Sequence, residues 1–337
     1  FFASRGCTEV ETPVLSPGLI PEAPIEVFET IHFDGEGGAR PLYLLPSPEL
    51  YMKKLIAGGS GDIFQIVRSF RNGEEYGAHH NPEFTMLEWY EVGAGYMDSI
   101  RTAEALFEAL ADRAPYADRS AGNAAGAAAA DEAASAIAAA AAENAQRLRP
   151  PFRTMSVHEA FDRYAGIDLT LHPDAGRLAE AAARAGLSSP SPGESWEQIF
   201  NRLLITFVEP NLPRDRPTVL YDYPAQIPAL AKRKIEGPWL ERWELYGCGI
   251  ELANCYTEET DPRLIRAFCE REYAAKAANS LIVPDADEEF ISMFEERPFP
   301  PCSGTALGVD RLVMLLTGHD SLEGVIHFPF SDILGNK

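Results

Sequence analysis

Runs of strand-forming residues come in pairs along this chain, and that order limits the fold more than any other feature. Residues 62–67 (DIFQIV) and 83–92 (EFTMLEWYEV) alternate well enough to pair with each other across a long polar loop. Residues 218–223 (TVLYDY) and 243–254 (WELYGCGIELAN) repeat the pattern, the second bending at Gly247 and Gly249. A shorter buried strand is expected at 42–45. Pro46-Ser47-Pro48 ends it, a helix follows at 49–57 (ELYMKKLIA), and Gly58-Gly59-Ser60-Gly61 closes that helix. Further helices are expected at 157–164, 176–185 and 196–208. The tail turns from a glycine loop at Thr305 into an apolar helix at 310–316. Strands in hairpin order with helices between them predict an α+β fold: an antiparallel sheet flanked by helices, not a doubly wound sheet.

One segment departs from this pattern. Between Ala121 and Ala145, 16 of 25 residues are Ala. Alanine favours helix, but a run with almost no apolar periodicity has little to dock it on a core. The expectation is a single domain over 1–337, interrupted at about 113–150 by a poorly packed Ala-rich insertion without a part in chemistry.

Lys and Arg number 29 against 51 Asp and Glu, a formal net charge of −22. Unspecific nucleic-acid binding draws most of its affinity from a basic footprint, so this balance speaks against it. It suits a basic partner, or a small anionic substrate held by a few placed arginines. No apolar stretch is long enough to span a membrane, and Phe1-Phe2-Ala3-Ser4-Arg5 lacks the layout of a secretion signal. Five cysteines with no C-x-x-C spacing read as reduced, mostly buried thiols of a cytoplasmic protein. A P-loop is excluded because no Gly-Lys dipeptide occurs, and neither H-E-x-x-H nor G-x-S-x-G is present.

Three stretches concentrate residue types that handle phosphate and metal. The first, 70–84 (FRNGEEYGAHHNPEF), sets Arg71 at a strand end, then a loop, then Phe84 early in the returning strand. The second is 249–254 (GIELAN) followed by Glu258-Glu259. In the third, 304–312 (GTALGVDRL), glycines permit close backbone approach and Arg311 sits in the first helical turn. Singly each has a plain structural alternative. Arg71 and Arg311 could be surface ion-pair partners, and Phe84 and Tyr90 could be core. His79-His80 reads as a solvated loop pair. Glu251 within an apolar strand is harder to dismiss, because an unpaired buried carboxylate is costly.

Together these residues resemble motifs 2 and 3 of class II aminoacyl-tRNA synthetases. The likeness is to the lysyl branch and to the related ligases that attach β-lysine to elongation factor P. Val10-Glu11-Thr12-Pro13 resembles the end of motif 1, the dimer-forming element. Ser47-Pro48-Glu49, Phe64-Gln65-Ile66, 80–90 (HNPEFTMLEWY), 249–254 and 306–314 (ALGVDRLVM) stand in the expected order. The resemblance implies a homodimer that uses ATP and Mg²⁺ to activate a lysine-like amino acid as an adenylate. By the same resemblance Arg71 and Arg311 are catalytic, Arg71 on the α-phosphate and the incoming carboxylate, Arg311 at the γ-phosphate end and over the adenine. Phe84 stacks on the other adenine face, and Glu74, Asn81, Leu252 and Gly308 complete the ATP site. Within the loop before Asn81, which is one residue longer than usual, Gly73, Glu74 and Glu75 all stay open for the adenine contact. Glu251 and Glu258, seven residues apart, hold Mg²⁺ as hard oxygen ligands. Ser47, Pro48, Glu49, Tyr90, Glu258 and Ala306 form the amino-acid site, with Glu49, Tyr90 and Glu258 reading the amino groups.

The acceptor is the remaining choice. Motif 1 begins almost at residue 1, so no oligonucleotide-binding barrel is expected before it, and Ala306 stands where synthetases of this branch usually carry Gly. Both features, with the −22 balance, favour (R)-β-lysine as substrate and a lysine of elongation factor P as acceptor, with tRNA disfavoured. A lysyl-tRNA synthetase core is the alternative. A silent amino-acid-binding paralogue is a further one, against which Arg71, Glu251, Glu258 and Arg311 stand intact.

Overall fold

A computed structural model describes residues 1–73, 77–113, 128–188 and 193–335. Among the described residues eleven strands run in order: β1 (Thr8–Glu9), β2 (Leu15–Ser16), β3 (Glu29–Phe33), β4 (Ala39–Leu44), β5 (Ile63–Phe70), β6 (Glu83–Val92), β7 (Arg153–Ser156), β8 (Thr218–Pro224), β9 (Trp239–Gly247), β10 (Ile250–Thr257) and β11 (Cys302–Gly308). Helices are α1 (Glu49–Ala57), α2 (Tyr96–Ala111), α3 (Ala128–Arg147), α4 (Val157–Ala165), α5 (Ala175–Arg184), α6 (Trp196–Leu203), α7 (Pro262–Asn279), α8 (Glu288–Glu296), α9 (Val309–Leu316) and α10 (Phe330–Ile333).

Eight strands form one sheet in the order β1-β5-β6-β11-β10-β9-β8-β7; β2, β4 and β3 form a small second sheet. The six inner strands pair antiparallel, as expected, and only the two edge strands, β1 on β5 and β7 on β8, run parallel. Strand alternation divides the large sheet into two faces. Leu87, Trp89, Trp243, Leu245, Cys255 and Leu307 point to one face and build a core with α2 and α9. Met86, Glu88, Tyr90, Arg242, Asn254, Tyr256 and Ala306 point to the other, where the pockets lie. A second core, centred on Phe161, Phe200 and Trp196, packs α4–α6 on the β7–β8 end.

Helix α1 starts at Pro48 and buries Leu50, Met52, Lys53 and Ile56. Its bounds and those of β6 match the sequence expectation. Three expectations fail. The single bent strand expected at 243–254 is a hairpin, β9 and β10 pairing antiparallel with Ile250 opposite Gly247, because the glycines turn the chain back instead of bending it. The glycine loop expected from Thr305 is β11, in the interior of the sheet: Gly304 and Ala306 pair with Tyr90 and Glu88 on one side and with Tyr256 and Asn254 on the other. Glycine there serves side-chain space, because a Cβ on Gly304 would sit 2.6 Å from Tyr90 Cε1 and collide with Glu258.

The Ala-rich segment also differs from a tether where it is described. Its C-terminal half is helix α3, with Ala141 and Ala145 buried and Asn144 Nδ2 donating to the Leu315 carbonyl at 3.0 Å. Alanine's lack of bulk permits this docking without large apolar side chains. At the end of α9, Gly318 (φ 77°) passes so close to the Ile137 carbonyl that a side chain would not fit. The remainder of the segment up to residue 127 lies outside the described residues, apart from its start at Arg113. The cysteines are free, with Cys255, Cys269 and Cys302 buried. No helix among the described residues is long and apolar enough to cross a membrane.

Candidate active site

Two pockets of about 750 and 760 Å³ lie on the polar face of the sheet and share Arg71, Met86, Asn254 and Ala306. They are therefore two chambers of one cleft, with Arg71 at the seam. Strand β5 delivers Arg71 there: its N–H donates to the Pro82 carbonyl at 2.9 Å, which closes the β5–β6 hairpin. The Arg71 guanidinium lies 5.3 Å from the centre of the Phe84 ring, a cation–π arrangement.

The first chamber is acidic. Glu22, Glu49, Glu88 and Glu258 line it, against Arg71 and Arg242. Behind Glu49 and Glu258 lies Lys53, 2 % exposed and 2.5 Å from a carboxylate oxygen of each. Lys53 and Glu49 are one helical turn apart on α1, so a single helix face delivers both. Neither Glu258 oxygen accepts a hydrogen bond of regular geometry among the described residues, although both are buried. Glu88 accepts from Ser47 Oγ at 2.5 Å, and Ser47 Oγ accepts the Glu49 N–H at 3.0 Å. Tyr256 donates to Glu49 at 3.1 Å. Burial pushes Glu258 and Glu88 up to about 8, the Glu49 charge adding to both. A buried cluster of carboxylates that resists ionisation is suited to a ligand that brings its own positive charges.

The second chamber is lined by Asn81, Phe84, Glu251, Gly308 and Arg311 among others. Arg311 is oriented by two carbonyls, donating from Nε to His79 at 3.0 Å and from Nη1 to Glu251 at 2.9 Å. Asp310 accepts the Thr85 N–H at 2.6 Å and ties the start of α9 to β6. Burial and the neighbouring Glu244 charge push Glu251 up to about 7, while Arg311, Arg71 and Arg242 oppose this.

Residues 251 and 258 are an odd number of positions apart, so in a regular strand they would face opposite sides. A bulge between Glu251 and Ala253 restores them to one face. Even so, the two do not share a chamber. Glu251 lines the second, whereas Glu258 lines the first and is paired with Lys53. Glu251 also feels the charge of Glu244, on β9.

Of the other expected residues, Ser47, Glu49, Tyr90, Glu258 and Ala306 do line the first chamber. Pro48 does not; it is buried at the start of α1, where its carbonyl accepts the Met52 N–H. Leu252 buries its side chain in the core and meets the second chamber near Gly308. Both ends of the Asn81 amide are engaged, with the Glu83 carbonyl and the Phe330 N–H. Glu74 lies outside the described residues. Sequence reasoning missed Glu22, Lys53, Glu88 and Arg242. Two carried a signal: Lys53 is four residues from Glu49 on one helix, and Glu88 is two residues from Tyr90 on one strand. Glu22 stands in a loop with none.

Comparison with known proteins agrees with this architecture. The sequence profile of tRNA synthetases class II (D, K and N) matches residues 1–332. Relatives named elongation factor P–(R)-β-lysine ligase, from Salmonella paratyphi B (strain ATCC BAA-1250 / SPB7) and Salmonella heidelberg (strain SL476), are each 38% identical over 332 residues. The match covers 97% of this chain and 90% of each relative, and the protein of that name from Salmonella enteritidis PT4 (strain P125109) matches equally. With a sheet of this topology and a two-chambered cleft on its polar face, the chain belongs to the class II tRNA synthetases of the D, K and N type.

Proposed function

We propose that this protein activates a diamino acid, (R)-β-lysine, with ATP and transfers it to a lysine of elongation factor P. The observation that carries the reading is the acidic chamber opening at Arg71 into a second chamber lined by Phe84, Glu251 and Arg311. Four glutamates suit the two ammonium groups of a lysine isomer. The substrate carboxylate oxygen attacks the α-phosphorus of ATP and pyrophosphate leaves. Two anions meet in this step, so fixed cations must offset their charge. Arg71 at the seam serves both reactants, and Arg311 stabilises the leaving phosphates. The acceptor ε-amine then attacks the adenylate carbonyl; AMP leaves, an amide forms and a proton is released.

For Mg²⁺ the donor set is adequate but sparse. Among the described residues no group of three or more His, Cys, Asp or Glu stands ready for a metal. Mg²⁺ is commonly held by one or two carboxylates with substrate phosphates and water. Glu251 and Glu258, which line the two chambers of one cleft, fit that pattern, and the ion would neutralise phosphate charge when bound. We further read the chain as one catalytic domain carrying the Ala-rich insertion, cytoplasmic and homodimeric.

The relatives' name and the −22 charge favour elongation factor P over tRNA. The deciding measurement is amino-acid-dependent pyrophosphate–ATP exchange with α-lysine and (R)-β-lysine, followed by transfer to elongation factor P or tRNA. Exchange with (R)-β-lysine and transfer to the protein are expected. No exchange with either isomer would sink the adenylate reading, and efficient tRNA charging would replace the acceptor.

A further inference from the structure

Helix α7 buries two charged side chains that line no part of the amino-acid chamber: Glu272, 4 % exposed, and Lys276, 2 % exposed. They are one turn apart on one face, and buried charges are costly unless they are well partnered. Apart from Arg271, whose Nε donates to Glu272 Oε1 at 3.3 Å, their partners are backbone groups of the loop between β2 and β3. Glu272 Oε2 accepts the Ala23 N–H at 3.1 Å, and Lys276 Nζ donates to the Glu22 carbonyl at 3.2 Å and to the Ile25 carbonyl. That loop can do little for itself, since Pro21 and Pro24 have no N–H to give. One bond within it, Ile25 N–H to the Glu22 carbonyl, measures 3.2 Å. Its two ends are tied elsewhere, Leu19 to Asp285 and Asp287, and Glu26 to Asn72. The loop is thus shaped from outside, by α7.

What the loop carries is Glu22, half-buried, whose carboxylate lines the acidic chamber. Four residues on, Glu26 bridges Asn72, the neighbour of Arg71, so the loop is anchored beside the seam. Glu22 and Arg71 line the same chamber, and Glu22 thus faces it from a loop tied next to the place where the substrate carboxylate must react. Lysine isomers differ near that carboxylate: the nearer amino group is on the carbon next to the carboxylate in α-lysine and one carbon further in β-lysine.

We infer that Glu22 reads the ammonium group nearer the reacting carboxylate, and that Glu272 and Lys276 are positioning residues that set where Glu22 stands. This rests on the diamino-acid reading above. The test is steady-state exchange by the full chain with each isomer, using Glu22→Gln, Lys276→Met and Lys276→Arg, alongside thermal melting. Glu22→Gln is expected to raise the KM of the preferred isomer about tenfold or more. The KM for ATP should hold within about twofold, and the preference between isomers should shrink. Lys276→Met should act in the same direction, with Lys276→Arg restoring most of the preference. If Glu22→Gln leaves both KM and isomer preference within about twofold of an active parent, the inference fails while the diamino-acid reading stands. If Lys276→Met lowers the melting temperature but leaves the preference intact, the helix is scaffold only and its positioning role is overturned. A parent chain that exchanges with neither isomer overturns both.

Discussion

Arg311 is held by carbonyls rather than by an opposing carboxylate at close range: its nearest acidic oxygen, on Glu251, is 3.6 Å away. A guanidinium oriented in this way keeps charge to offer to phosphate. Arg311→Ala is expected to lower exchange by about 10²–10³, the usual cost of removing one preorganised group that stabilises transition-state charge. Its far-UV circular dichroism should be unchanged, and near-normal exchange by that variant would refute the phosphate role. Arg71, Glu251 and Arg311 were legible in the sequence because each sits where a strand or helix turns, among glycines and polar residues. Lys53 was not. In ELYMKKLIA its spacing from Glu49 puts the two on one helix face, but it takes packing to show that Lys54 meets Asp287 and Glu289 while Lys53 is sealed between two glutamates.

At the scale of elements, strands with clean alternation were legible to the residue, as β6 was. Those depending on both neighbours were not. Strand β11 reads as a glycine loop until β6 and β10 are placed beside it, because pairing on both sides overrides weak strand propensity. Helix α7 escaped notice because its buried face includes Glu272 and Lys276, charged residues that hydrophobic periodicity counts as exposed. Helix α3 escaped for the opposite reason, since its contact face is alanine. That face gives a direct test. Ala141→Glu would place a carboxylate against α9, and burial of a charge without a partner is expected to destabilise the fold by about 2–4 kcal/mol. Chemical denaturation measures this, and an unchanged midpoint would mean that α3 does not dock in solution.

For the molecule as a whole, the acidic chamber couples stability to pH. Glu88 and Glu258 are raised from an ordinary 4.5 to about 8, and Glu22 to about 7, chiefly by burial. A carboxyl whose folded pKa exceeds its unfolded value contributes stability in full below the unfolded value. That contribution is lost as pH rises through the folded one. The empty protein should therefore lose stability as pH rises from about 4.5 to about 8. A ligand with two ammonium groups favours the ionised carboxylates, so its binding releases protons and strengthens over the same range. The rise in melting temperature on adding (R)-β-lysine should be larger at about pH 8 than at about pH 6; equal rises would contradict the proposed protonation of the empty chamber. The division of the sheet into two faces bears on descent as well. Positions 86, 88, 90, 304 and 306 line the cleft, while 87, 89 and 307 pack in the core on the opposite side. Selection can therefore retune which amino acid is accepted by changing alternate letters of two strands and leave the packed letters as they were. A lineage could pass from one amino acid to another without first losing its fold.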